Sequence, residues 1–320
     1  MKPTDHDTPG TRAQRRGMWL GFVGVAIFAL TLPFTRLAVG TTDAPLMSGL
    51  FVAMGRAVAA AALSAAWLLW ARAPWPQRQH WPALAMTAFG VVLGFPLLTS
   101  IAMRQVQAVH ASVIVGVLPL ATATVGALLH RQRPSVGFWA CAVAGSALVV
   151  AFALLHSGQA GLHLHPADLL LLGAMACAAV GYGYGARLSQ HMPAEQVICW
   201  ALLLALPVTL PLALWCWPTQ ALPASAWGAF GYVAVFSMWL GFFAWYRGLA
   251  LGGTVRVSQV QLAQPFLSML FAVPLLGESL DVTTVAFGLA VVATVFIGKR
   301  MPVNTPHLIS TPEHTTRSLT

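Results

Sequence analysis

Residues 107–122 read QAVHASVIVGVLPLAT, and residues 253–268 read GTVRVSQVQLAQPFLS. Laid over one another they share three marks: Ser112 with Ser258, Pro119 with Pro265, and Thr122 with Ser268. Each pair is 146 residues apart, and so are Trp81 and Trp227 upstream. Between the marks both copies are almost wholly apolar. In a chain of 320 residues that offset is close to half the length, so the pattern reads as an internal duplication.

Composition supplies the solvent. Hydrophobic residues make up 58% of the chain and charged residues 8%, with a mean hydropathy of +0.75. Soluble domains carry about 25% charged residues, so this reads as an all-α polytopic membrane protein with the lipid bilayer as its surroundings. A net charge of +9 would point to nucleic acid in a soluble chain. Here the Lys and Arg are scattered between apolar runs, and no nucleic-acid partner is expected. Cys141, Cys177, Cys199 and Cys216 lie inside apolar segments without C-x-x-C spacing. They read as small hydrophobes, neither disulfides nor metal ligands.

A spanning helix needs about 20 mostly apolar residues. Such runs occur at 18–38, 46–70, 81–104, 107–130, 134–156, 167–190, 193–216, 225–249, 253–276 and 281–299, ten in all. The breaks between them carry turn or charge signals, such as T-T-D-A-P at 41–45 and R-Q-R-P at 131–134. The first run follows Arg12, Arg15 and Arg16 as a signal peptide would. It is too long for such a segment and no small-residue cleavage site follows, so it is expected to be retained. Residues 1–17 and 300–320 are polar and are expected to be disordered cytoplasmic tails. Between them lie a first five-helix repeat at 18–156, an extracytoplasmic linker at 157–166 and a second repeat at 167–299.

Ten spans put both termini on one side. Placing them in the cytoplasm puts every Lys and Arg on cytoplasmic segments or helix ends except Arg36, Arg56 and Arg104, which is the positive-inside pattern. An odd number of helices per half inserts the second copy upside down. The expected fold is therefore ten transmembrane helices in a 5+5 inverted repeat, related by a pseudo-twofold axis in the membrane plane. That symmetry lets one site open to either face in turn.

Two motifs at the helix ends sharpen this. The second half carries Gln264-Pro265 and then Leu275-Leu276-Gly277-Glu278-Ser279-Leu280; the first carries Leu118-Pro119 and then Leu128-Leu129-His130-Arg131-Gln132. Each half thus ends in a Pro-bearing helix with a short turn into a last helix, which resembles the drug/metabolite transporter superfamily, EamA-like branch. The resemblance covers about residues 18–299. It implies a transporter of small organic metabolites, with no cofactor and no enzymatic activity. The family pattern has a Gly-Glu pair at that helix end in both halves; here Glu278 is present and Gln132 stands in the other copy.

Several residues are candidates to meet a solute. At 100° per residue Ser258, Gln261, Gln264, Pro265 and Ser268 fall within one arc of about 120°. Their counterparts are Ser112, Val115, Leu118, Pro119 and Thr122. A polar arc in lipid must face a cavity or another helix, and both readings stand. Pro33, Pro119 and Pro265 each free a carbonyl and are hinge candidates. Arg56 sits about 11 residues into its run, roughly 15 Å from the outer end. A central Arg costs about 2.5–3.5 kcal/mol even on the lenient insertion scale, so it faces protein or water. It either holds an anionic group of a substrate or pairs with carbonyls at a helix break. An Arg in the second helix also resembles the family pattern. Arg36 and Arg104 lie near the outer ends and are expected to snorkel. Tyr182, Tyr184, Trp239 and Trp245 are packing residues or the walls of a pocket for organic solutes. Gly181, Gly183 and Gly185 alternate with the tyrosines, so that helix bends or packs closely.

No Asp or Glu lies in the middle of a run. That favours facilitated exchange, or coupling through Glu278 or His110, both near the outer end. No Walker A, H-E-x-x-H or G-x-S-x-G pattern appears. The leading expectation is a secondary transporter in a bacterial-type cell membrane, exporting small organic metabolites such as amino acids or their analogues. The alternatives are a carrier of a larger anionic solute, such as a nucleotide sugar or lipid-linked intermediate, and a non-transporting membrane assembly protein. A large anion would call for more than one buried cation, and a scaffold would not need the polar arc. A homodimer is left open.

Overall fold

The structure, a computed structural model, describes residues 9–129, 133–156, 166–298, 301 and 303–304. Backbone N–H and C=O groups find no partners in lipid, so apolar chain must close its hydrogen bonds within each segment, and these runs are helical. We number the helices by run. α1 comprises Pro9–Ala29 and Thr31–Val39, α2 Gly49–Trp70, α3 Trp81–Thr87 through Ala88–Gly94 to Phe95–Ala102, and α4 Ala108–Val115 with Leu118–Leu129. α5 is Val136–His156, α6 Pro166–Leu188 and α7 Ala194–Trp215. α8 runs from Ala224–Tyr232 through Val233–Leu240 to Gly241–Gly252, α9 is Thr254–Val257, Ser258–Leu262 and Ala263–Leu276, and α10 is Val282–Gly298.

Among the described residues seven of these are long and apolar enough to cross a membrane, and Val260–Leu276 and Val282–Thr294 are shorter apolar helices. The expected N-terminal tail is shorter than 1–17: residues 9–17 are helical and extend α1. At the other end Val303–Asn304 pairs antiparallel with Arg133–Pro134. Residues 1–8, the 157–165 part of the linker and most of 300–320 lie outside the described residues.

The duplication shows in where the helices are irregular. α4 breaks at Gly116–Val117, just before Pro119, and α9 tightens to a 3-10 stretch over Ser258–Leu262, just before Pro265. Wider π-helical turns occupy Ala88–Gly94 of α3 and Val233–Leu240 of α8, the corresponding place in the two copies. Packing follows the same exchange: α1 lies along α8 as α6 lies along α3, while α2 packs on α7, α4 on α9 and α5 on α10.

Glycines permit the two exchanged pairs. A Cβ on Gly17 would lie 2.5 Å from the Gly252 nitrogen, and one on Gly90 would lie 2.6 Å from the Gly181 nitrogen. The glycines of α6 therefore serve packing, not bending. Gly181 meets Val91 of α3, Gly183 meets Val125 and Leu129 of α4, and Gly185 meets the Tyr246 ring of α8. α6 runs unbroken from Pro166 to Leu188.

The break in α1 has a stated cause. Pro33 has no N–H for the carbonyl of Ala29, four residues back. The Ser268 hydroxyl of α9 donates to that carbonyl at 2.7 Å. Ser268→Ala leaves the carbonyl buried and unmet, and we expect a loss of about 1–2 kcal/mol, read as a lower unfolding temperature in detergent. An unchanged unfolding temperature would show that the bond is not needed to hold the break.

Candidate functional site

Between the halves lies an enclosed cavity lined by Phe28, Thr31, Leu32, Arg56, Val91, Phe95, Val115, Tyr182, Ser237, Met238, Phe242 and Gln264. The free space among them, about 20 Å3, is room for about one water molecule, so the site is closed. The irregular segments build it. Thr31 follows the break in α1, Val91 and Ser237 sit in the two π-helical turns, and Val115 ends the first piece of α4. Where the helical register slips, neighbouring side chains fan apart, which leaves space no regular helix pair would leave.

Arg56 is the one charged residue among those lining residues. It sits seven residues after the start of α2, about 10 Å along the helix axis, closer to that end than the run boundaries implied. It is 1% exposed. Its Nε and Nη1 are buried without a hydrogen-bond partner among the described residues, so no carbonyl at a helix break meets them. Gln264 also reaches the cavity, and its Oε1 is likewise buried and unmatched. The Thr31 and Ser237 hydroxyls bond to one another at 2.8 Å across α1 and α8. Phe28, Tyr182 and Phe242 form an aromatic wall, with the Phe28 and Phe242 centroids 5.0 Å apart. Trp245 is fully buried behind it, 5.4 Å from the Tyr182 ring.

The other candidates fall elsewhere. Ser112 turns back to the Ala108 carbonyl at 2.6 Å, and Ser268 holds α1. Thr122, Ser258 and Gln261 are buried without lining the cavity; on α9 the 3-10 stretch carries Ser258 and Gln261 off the regular arc. Tyr184 and Trp239 are partly exposed and do not line it either. Thr31, Ser237 and Phe242 were missed; nothing in the spacing marks a π-helical turn. Cys141, Cys177, Cys199 and Cys216 are free, but Cys199 alone of the four is fully buried.

A second group of charges gathers at the start of α4. Gly277 ends α9 at φ +66°, a left-handed cap that suits glycine, and turns the chain so that Glu278 reaches across. The Ala108 and Val109 N–H groups donate to its two carboxylate oxygens at 2.8 Å each. A carboxylate there meets two unpaired donors and the positive end of the helix dipole. Arg36 does not snorkel but donates to the Met103 and Val106 carbonyls that end α3 and its turn, and Arg104 donates to the Met47 carbonyl at 2.7 Å. Within the first turn of α4, His110 Nε2 lies 2.7 Å from Oδ1 of Asp168, a carboxylate 1% exposed at the start of α6. The His110–Asp168 pair was invisible in sequence because 58 residues separate its members. Neither Glu278 nor His110 lines the cavity. Beside Glu278 and Arg36 a recess of about 460 Å3 opens at this end.

Apolar helices in exchanged pairs, around a closed cavity lined among the described residues by one charged side chain, describe a multi-pass membrane protein. The comparisons make the class specific. The EamA-like transporter family model matches residues 15–155 and again 165–298, and the chain belongs to that family. It is 42% identical over 285 residues to the uncharacterized transporter YdeK of Bacillus subtilis (strain 168), covering 88% of this chain and 96% of that one. A crystal structure of a protein 19% identical shares the fold with a TM-score of 0.60, over 89% of this chain and 96% of the other.

Proposed function

We propose that the protein is a secondary transporter that exports small organic metabolites, amino acids or their analogues, across a bacterial-type cytoplasmic membrane by alternating access. The observation that carries this is Arg56, a buried unpaired guanidinium in a closed cavity whose walls come from both halves. The ten-span, 5+5 inverted arrangement is supported by the matched irregularities and the exchanged packing. A pseudo-twofold relation turns each contact of one half into one of the other. The distribution of Lys and Arg supports cytoplasmic termini. Pro33, Pro119 and Pro265 stand beside the irregular segments, where a change between the two open states would concentrate.

In this reading the clamp of Glu278 and His110–Asp168 on α4 holds the extracytoplasmic side shut, and its titratable members are the coupling candidates. A carrier of nucleotide sugars or lipid-linked solutes is the weaker reading, since a single cation lines a cavity that is narrow when closed.

The test is flux in inside-out and right-side-out vesicles, with a panel of amino acids and analogues and an imposed pH gradient. Saturable, substrate-selective movement is expected. Absence of flux for the whole panel by correctly folded protein would overturn the transport reading. We expect Glu278→Gln and Asp168→Asn each to weaken the response of flux to the pH gradient by about tenfold or more while solute exchange persists. If both variants keep the full response, neither carboxylate is the coupling group.

A further inference from the structure

The charge balance of the closed cavity narrows the solute. Arg56 brings one positive charge, and no carboxylate lines the cavity among the described residues. Its Nε and Nη1 are buried and face no acceptor; each shares an edge of the guanidinium with Nη2, and a carboxylate is the group whose two oxygens match such an edge. In so enclosed a place the net charge of the loaded complex matters more than any single contact, because water is not there to screen it. A zwitterion would leave the complex positive, an amine would double the charge, and a dianion would leave it negative. A monoanion leaves it neutral.

The remaining lining sets the body of the solute. Thr31 and Ser237 are bonded to each other, which uses one hydroxyl proton and leaves the pair one donor and no charge to offer a solute. Phe28, Phe242, Phe95, Met238 and the ring of Tyr182 are apolar surface, and Gln264 Oε1 is an unmatched neutral acceptor suited to a hydroxyl or amide N–H. A neutral carbonyl does not offset an ammonium charge. We propose that the solute is recognised as an organic monoanion: a carboxylate seated on Arg56, with an apolar or aromatic body against Phe28, Tyr182 and Phe242, and no ammonium group. This rests on the transporter reading and narrows "amino acids or analogues" to the deaminated or N-blocked acids. The closed cavity is too small for such a body, so loading widens it, and the break at Leu30 and the π-helical turn at Val233–Leu240 border the wall that must move.

The test uses the purified full-length protein in nanodiscs and four probes with one body: 3-phenylpropanoate, phenylalanine, 2-phenylethylamine and 3-phenylpropan-1-ol. Binding is read by calorimetry. The propanoate is expected to bind about tenfold or more tighter than each of the others. Arg56→Gln is expected to abolish that preference, while Arg56→Lys, which keeps charge without the fork, retains part of it. Phenylalanine binding as tightly as the propanoate, or no binding by any probe, overturns the proposal; the wild-type panel decides this even where a variant fails to fold. Counterflow of labelled propanoate in proteoliposomes separates the two readings. Tight binding without flux overturns transport and leaves the anion site standing. Flux of other solutes without the anion preference overturns the site and leaves transport standing.

Discussion

Arg56→Ala is expected to abolish flux while the protein reaches the membrane folded and in normal amount. The two halves of that statement come from different physics. Flux is expected to fall because the guanidinium is the sole charge lining the cavity among the described residues, and the proposed binding group goes with it. Folding survives because Nε and Nη1 hold nothing in place. Truncating a buried Arg leaves a hole that costs a few kcal/mol, about 2–5 by analogy with large apolar residues. It also removes an uncompensated buried charge, whose cost is of similar size and opposite sign. The net change in stability should be small, and the unfolding temperature should stay within a few degrees of wild type. Flux in vesicles and unfolding in detergent, measured on one preparation, check both halves. Retained flux would remove Arg56 from the site, and loss of folded protein would assign it a structural role.

The largest effect on folding is expected from the smallest substitution. Gly90→Ala adds one methyl group where α3 crosses α6, and that carbon would collide with the Cys177 carbonyl oxygen and lie 2.6 Å from the Gly181 nitrogen. Both obstacles are backbone, so no side chain can rotate aside. The helices must separate along a face that van der Waals contact alone holds together, because lipid supplies no hydrophobic drive between spans. We expect a loss of about 3 kcal/mol or more, at the upper end for overpacking. Because Val91 follows Gly90 and lines the cavity, residual folded protein should also bind solute poorly. Gly231→Ala is the control: a Cβ there meets nothing within 4 Å, and the variant should behave as wild type. Equal stability of the two variants would show that the α3–α6 crossing has slack the packing does not reveal.

The helical architecture was legible because lipid makes it a matter of composition. An apolar run of about 20 residues has few options there but to close its own hydrogen bonds, so α2 through α10 begin and end within three residues of the runs read from sequence. That Arg56 turns away from lipid was legible for the same reason, since a charge inside such a run is too costly to leave there. The Gly277-Glu278 motif was readable as a resemblance. Its physical sense came with the fold: a left-handed cap that delivers a carboxylate to the start of another helix.

The polar arc on α9 assumed one regular helix; the 3-10 stretch at Ser258–Leu262 takes Ser258 and Gln261 off it, while Gln264 reaches the cavity and Ser268 meets α1. The π-helical turns, the exchanged α1–α8 and α3–α6 pairs, and the His110–Asp168 contact carried no sequence signal either. Local chemistry alone determined which segments are helices and that a charge lies buried among them, because the bilayer penalises every alternative. Which side chains share the cavity, and that Arg56 stands there unpaired, was decided by the tertiary structure. Those facts depend on how helices distant in sequence approach one another, and on where their regular turns give way.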